Sequence, residues 1–338
     1  MADRAAVKPL ALTMGEPAGI AGEIVIKAWH APDGRPVPPF ALVGDADWLR
    51  AEAHRIKSHS HVVEVASMAE ASARFHEGVP VLPLRLAVRP SPGTPDGRNA
   101  AAVIGAIDKA LALARDGEAA GVVTNPIHKA TLYAAGFKFA GHTEYLAALC
   151  GGASPVMMLV IEGLRVVPVT VHLSLARAAA SLSSEAIVHA AETTHRALRS
   201  DFAIAAPRLV VAALNPHAGE DGAMGNEEKT IIGPAIDELR RRGIDVKGPL
   251  PADTLFHAGA RARYDAAICM YHDQALIPLK TLDFAGGVNV TLGLPIVRTS
   301  PDHGTAFDIA GQDRADPSSL LAALRLASRM AAARRSGA

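Results

Sequence analysis

Continuous apolar runs bounded by turn residues recur along the chain, separated by longer stretches with helical periodicity. The runs at 9–14 (PLALTM), 40–44 (FALVG) and 119–124 (AAGVVT) predict buried strands, because a strand covered on both faces needs no polar alternation. Helices are predicted in EPAGIAGEIVIKAWH, from about Asp45, from Asn99 to Arg115, from Ser184 to Ser200 and from Glu227 to Arg242. Between 77 and 98, five prolines and several glycines predict a long irregular crossover. VMMLVI and LRVVPVTV, separated only by Glu162-Gly163, predict a β-hairpin. It is either an antiparallel addition to a mainly parallel sheet or an arm used in dimer contact. Two short strands follow near 288–298, and the Ala-rich basic stretch after Leu324 predicts a helix fraying into a partly disordered tail, 325–338. This alternation predicts an α/β fold of three αβα layers, as two intermixed subdomains that share strands.

Three of the apolar runs lead to a histidine: LRVVPVTVH to His172, RLVVAALNPH to His217 and YDAAICMYH to His272. Open α/β sheets bind ligands beyond the carboxyl ends of their strands, so three imidazoles on one rim can hold a divalent metal and leave positions open for substrate. The competing reading is that each is a loop or capping residue. The chain has 14 histidines, and separations of 45 and 55 residues are no local metal motif.

Composition narrows the function classes. Hydrophobic residues make up 49% and charged residues 20%, enough apolar material for a large core. Lys plus Arg and Asp plus Glu both number 34, so no overall field attracts nucleic acid or an anionic membrane. Two cysteines, Cys150 and Cys269, exclude a disulfide framework and point to a reduced, cytoplasmic setting. The opening MADRAAVKPLALTM has no apolar core of signal-peptide type, and no stretch has the length and apolarity of a membrane span.

Several segments carry candidate chemistry. GEPAGIAGE, Gly15 to Glu23, is a glycine-rich strand-to-helix turn whose amides can receive an anion, or whose glycines serve close packing. No Gly-x-Gly occurs anywhere, which disfavours a Rossmann dinucleotide fingerprint. In AGHTEYL, Thr143 either caps a helix or presents its hydroxyl and amide to a phosphate, with His142 beside it. The glycine-rich loop LNPHAGEDGAMGNEE carries His217, and MYHDQALIPLK places Asp273 next to His272 and Lys280 eight residues on. An ammonium there binds phosphate or transfers a proton, although most lysines are merely solvated. VNVTLGLPIVRTSPDHGTAFDIAG carries Asn289, Arg298, Asp302, His303 and Asp308, and Arg298 can clamp a phosphate or carboxylate.

Taken together, GEPAGI, GHTE, NPHAGEDGAMGNEE, GPLPADTLF, YHDQALIPLK and VNVTLGLPIVRTSPDHGTAFDIAG resemble the 4-hydroxythreonine-4-phosphate dehydrogenase family, in order and over almost the whole chain. That family is similar in fold to the isocitrate and isopropylmalate dehydrogenases, and DHGTAFDIAG looks like their nicotinamide-cofactor loop. The resemblance implies that His172, His217 and His272 ligate a metal, with the third ligand coming from the partner of a homodimer. It implies substrate contacts from His142, Thr143, Lys280, Asn289 and Arg298. Proton transfer and orientation fall to Lys280 and His142 with Asp253 in support, and Gly15, Glu16, His303, Gly304, Thr305 and Asp308 lie near the cofactor. The active site is expected in the cleft between the subdomains. Departures from the family pattern are Ala21 and Gly22 after GEPAGI and Ala275 in YHDQA, none of which removes a functional side chain.

The activity implied is NAD-dependent (NADP the variant) oxidation of the 3-hydroxyl of 4-phosphohydroxy-L-threonine, followed by decarboxylation to 3-amino-2-oxopropyl phosphate, in pyridoxal 5'-phosphate synthesis. The metal is zinc, with magnesium, manganese or cobalt as alternatives. Two other readings stand beside it: a paralogue acting on 4-phospho-threonate or a cis-dihydrodiol carboxylate, and a noncatalytic metabolite sensor. Retained Lys280 and Asp273 argue against the sensor, which needs no proton-transfer groups.

Overall fold

The computed structural model describes residues 8–337. The leading residues 1–7, part of the segment read for a leader, and Ala338 of the tail lie outside them. The chain divides into two compact units, 1–153 with 294–331, and 154–293 with 332–338.

The first unit runs β1 (Leu10–Thr13), α1 (Ala21–Trp29), β2 (Phe40–Gly44), α2 (Ala46–Arg55), β3 (Val62–Glu64), α3 (Met68–Arg74), β4 (Val79–Pro83), α4 (Ala100–Arg115), β5 (Val122–Val123), α5 (Lys129–Ala134) and α6 (His142–Leu149). Its sheet order is β3-β4-β2-β1-β5 and then β12 (Arg298–Pro301), all parallel. β1 and β2 are buried at every position, as their unbroken apolar runs require. Asp45 caps α2, its Oδ1 accepting from Trp48 N at 3.0 Å, and Ser67 caps α3.

The predicted crossover over 77–98 is corrected in part: β4 is an interior strand despite Pro80 and Pro83. Val79 N donates toward β3, to His61 O at 2.8 Å, and Leu84 N toward β2, to Gly44 O at 2.8 Å. Pro83 faces the β3 side beyond the last residue of that strand, so its missing N–H forfeits no ladder bond.

The second unit runs β6 (Val156–Ile161), β7 (Leu164–Thr170), α7 (Leu175–Ser181), α8 (Ser184–Ser200), β8 (Arg208–Ala212), α9 (Gly233–Arg241), β9 (Asp245–Leu250), α10 (Ala258–Arg261), β10 (Ala266–Tyr271), α11 (His272–Leu282) and β11 (Val288–Leu292). Its strand order is β11-β6-β7-β10-β8-β9, antiparallel across β11-β6-β7 and parallel from β7 onward. The hairpin β6-β7 is therefore part of the sheet, each strand having a neighbour on both sides, and is not a free arm. On β10, Ala267 and Cys269 pack with Ala275 and Leu279 of α11. Ala266, Ile268 and Met270 are equally buried on the opposite face, so the sheet is covered on both sides. This is the expected α/β layering.

The expected fraying after Leu324 is also corrected. Helix α12 runs Ser318–Ser336, because Leu326, Ala327, Met330 and Ala331 are buried. Near its end, Arg334 forms a two-point ion pair with buried Asp201, at 2.7 and 2.8 Å. No helix among the described residues is long and apolar enough to cross a membrane.

Candidate active site

In the first unit the strand order reverses direction at β1, which has β2 on one side and β5 on the other. Ligands of open α/β sheets sit beyond such a point. Gly15, at φ +66, leaves β1 there, and a Cβ on it would lie 2.7 Å from both Asn125 Cβ and Pro126 O. Only glycine permits that approach of the two turns. Glu16 N donates to Pro126 O at 2.8 Å, and the Glu16 carboxylate accepts from Ala18 N at 3.0 Å. Burial pushes the Glu16 carboxyl above the usual range. Thr305 O accepts from Ile20 N at 3.1 Å, which joins the 303–311 loop to the same turn, and the His128 ring stands edge-on to Phe307 at 5.0 Å. Gly15, Glu16 and Thr305 are thus brought together. His303 Nδ1 lies 3.0 Å from Gly304 O with its Nε2 buried and unpartnered, and Asp308 O accepts from Gln312 Nε2 at 2.7 Å.

A second cluster forms where β5 ends. The register of β12 on β5 sets Arg298 opposite Val122, and Arg298 Nη2 donates to Thr124 Oγ1 at 2.6 Å. Arg298 is 3% exposed, and burial pulls its guanidinium down to about 10, which leaves it a cation at neutral pH. Helix α6 begins at His142 with Gly141 as its cap and no side-chain acceptor on its first amides. Thr143 therefore lies inside the first turn, and the capping reading for it does not hold. His142 Nε2 is enclosed without a partner. Burial, then the nearby Arg298 and Lys129 charges, holds this imidazole well below the usual histidine range, hence neutral. Lys129 was not singled out from sequence, since a lone turn lysine has no pattern. A side chain added at Gly141 would meet its Nζ at 3.4 Å, so the ammonium lies over the start of α6. Two cations, free helix amides and a neutral imidazole make a seat for an anion, with one carboxylate at its edge: Glu144 Oε2 would lie 3.5 Å from the same added side chain at Gly141, and its charge acts on Arg298.

In the second unit the histidine rings of 172 and 272 approach each other, with centroids 6.1 Å apart. His172 lies two residues past β7 at φ +52, and His272 opens α11 directly after β10. His272 Nδ1 is 2.7 Å from Asp273 Oδ1, an arrangement that orients the ring and leaves Nε2 as the nitrogen that could ligate. His217 differs from expectation, because β8 ends at Ala212 and the residue sits in a turn of its own. His217, Ala218, Gly219, Glu220 and Asp221 all have positive φ, from 41 to 76°. Such conformations cost about 1–2 kcal/mol per non-glycine residue and persist only where neighbours impose them. The turn bearing exposed Asp253 packs against this one. No group of three His, Cys, Asp or Glu side chains among the described residues is close enough to hold a metal. Lys280 Nζ lies 5.4 Å from the ring centre of Phe284, and Asn289 Oδ1 is buried with no hydrogen-bond partner. Paired imidazoles with a carboxylate behind one of them suit a borderline divalent ion as donors.

The family model described as pyridoxal phosphate biosynthetic protein PdxA matches residues 37–327. The chain belongs to the PdxA family. The 4-hydroxythreonine-4-phosphate dehydrogenase of Bradyrhizobium diazoefficiens is 52% identical over 345 residues, covering 99% of this chain and 100% of its own. A crystal structure of the Klebsiella pneumoniae 4-hydroxythreonine-4-phosphate dehydrogenase superposes with a TM-score of 0.87 at 38% identity, covering 96% of this chain and 99% of its own. A terephthalate 1,2-cis-dihydrodiol dehydrogenase from Burkholderia xenovorans superposes less well, with a TM-score of 0.64 at 30% identity, covering 95% of this chain and 98% of its own. The family resemblance read from GHTE, NPHAGEDGAMGNEE and YHDQALIPLK is borne out. Within this PdxA chain, those segments fall at the start of α6, the left-handed turn and the start of α11.

Proposed function

We propose that this chain is a 4-hydroxythreonine-4-phosphate dehydrogenase of vitamin B6 synthesis. It oxidises the 3-hydroxyl of 4-phosphohydroxy-L-threonine with NAD and releases carbon dioxide to give 3-amino-2-oxopropyl phosphate. The observation that carries this reading is the anion seat of Arg298, Lys129, His142 and the uncapped start of α6. A cis-dihydrodiol carboxylate offers this seat only a planar carboxylate, whereas a phosphate has three acceptor oxygens for two cations and the amides at the start of α6.

A divalent ion on His172, His217 and His272 would supply Lewis acidity at the hydroxyl and the developing enolate, and NAD would supply the hydride acceptor. The chain's own groups bind and orient. Arg298 and Lys129 neutralise the phosphate, Thr143 donates its hydroxyl and amide, and neutral His142 offers a ring N–H without adding charge. Asn289 fixes the substrate through its amide. Lys280 Nζ takes the proton of the 3-hydroxyl in the oxidation and returns a proton to C2 once carbon dioxide is lost, with Asp253 in support. Gly15, Glu16, His303, Gly304, Thr305 and Asp308 form the cofactor side.

The test measures NADH formed from 4-phosphohydroxy-L-threonine and, in parallel, from 4-phospho-threonate, each after chelation and again after zinc is added back. Turnover restored by zinc and favouring the hydroxythreonine phosphate is expected. Preference for the threonate would move the enzyme to a paralogous substrate, the reading second in rank because it carries the same phosphate.

A further inference from the structure

Beyond the proposed ligands, the left-handed turn that carries His217 is built around one buried carboxylate. Glu228 is 6% exposed and opens the first turn of the helix preceding α9. Its Oε1 accepts from Leu214 N at 2.9 Å and from Asn215 N at 2.8 Å, the two amides where the chain leaves β8. Its Oε2 accepts from Asn215 Nδ2 at 2.9 Å, and the same amide group donates to Glu227 at 2.7 Å. Oε2 also lies against the middle of the turn, since a Cβ on Gly219 would be 2.6 Å from it. His217 is two residues from Asn215 on one side and two from Gly219 on the other. Both flanks of the histidine thus lean on one carboxylate, and six successive positive-φ residues, 217 to 222, need such an outside constraint.

We infer that Glu228 is a positioning residue for the metal centre: it holds the 214–221 turn in the one conformation that presents His217. It touches neither metal nor substrate, and the inference rests on the reading of His217 as a ligand. Glu228→Gln keeps the volume and one acceptor, but it puts an amide donor against Asn215 Nδ2, so the clamp on that side is lost.

The experiment titrates zinc alone against a competing chelator in the full-length wild type, Glu228→Gln, His217→Ala and the double variant. It also follows exchange of the Leu214 and Asn215 amide protons. Groups that orient metal ligands typically account for about 10- to 100-fold in affinity, and a loss of that size is expected for Glu228→Gln. Faster exchange at the two amides and kcat recovered at saturating zinc are expected with it. In the His217→Ala background the second change should have no further effect. Unchanged zinc affinity in Glu228→Gln while His217→Ala binds weakly would overturn the inference alone, as would equal losses in both backgrounds. Unchanged affinity in His217→Ala would overturn the ligand reading and the inference with it. Should Glu228→Gln fail to fold, Asn215→Ala, which removes the side-chain donor to Glu228 Oε2 and to Glu227, is expected to show the same pattern more weakly, and no change in its zinc affinity or amide exchange would overturn the inference.

Discussion

At the residue scale, burial is the main influence on the titration of His142 and Glu16. His142 is held neutral by its enclosure and by the adjacent cations. Its folded pKa lies below that of the unfolded chain, so its contribution to stability is fully present above about pH 6.5 and is lost as pH falls below that. Wild type should lose more stability between pH 6.5 and 5 than His142→Gln, as denaturant melts at both pH values would show. Glu16 has the opposite sign. Its raised pKa contributes stability below about pH 4.3 that is lost as pH rises through the folded value. Glu16→Gln should therefore be the more stable protein at pH 8, with the gap closing toward pH 4. Arg298→Lys removes the planar donor pair at the anion seat. Hydrogen bonds to charged groups are worth about 1.5–3 kcal/mol, so kcat/KM for the phosphorylated substrate should fall by about ten- to a hundredfold, while affinity for NAD is unchanged.

At the element scale, α12 is the strongest departure from expectation and the simplest to test. Its composition after Leu324, alanine and arginine with few large apolar residues, reads as a fraying end. Leu326 at 5% and Met330 at 1% exposure make it part of the core. Full burial of such side chains contributes about 1.5–3 kcal/mol each. Deleting 325–338 should lower Tm markedly or prevent folding, whereas a frayed tail would be removed without effect. β4 was hidden for a related reason. Pro80 and Pro83 are punctuation in a single sequence, and only the end of β3 shows that one of their missing donors is not needed. The turn around His217 was illegible too, because its residues, glycine apart, have no preference for positive φ; the partners that impose it are Glu228 and Asn215.

At the scale of the whole molecule, the second unit exposes Leu175 at 65%, Ile277 at 64% and Phe284 at 80%, with Leu173 and Leu282 also open to solvent. They lie on α7, α11 and the adjoining turns, the segments that follow His172 and His272. Large apolar side chains left open to solvent along such segments are the kind of surface an interaction covers. We propose that a second copy covers them and completes the metal centre. Phe284→Asp should shift the sedimenting species toward the monomer and weaken zinc binding in the same variant; a dimer unaffected by this change would sink the proposal. The sequence alone determined what depends on local pattern: buried strands from unbroken apolar runs, α8 from its amphipathic period, the hairpin from Glu162-Gly163, and the family from ordered motifs. Tertiary structure decided what depends on neighbours distant in the chain. Arg298 is brought to Thr124 by the register of β12 on β5, and His142 becomes neutral through burial beside two cations. The tail becomes a helix because its few large side chains find a core.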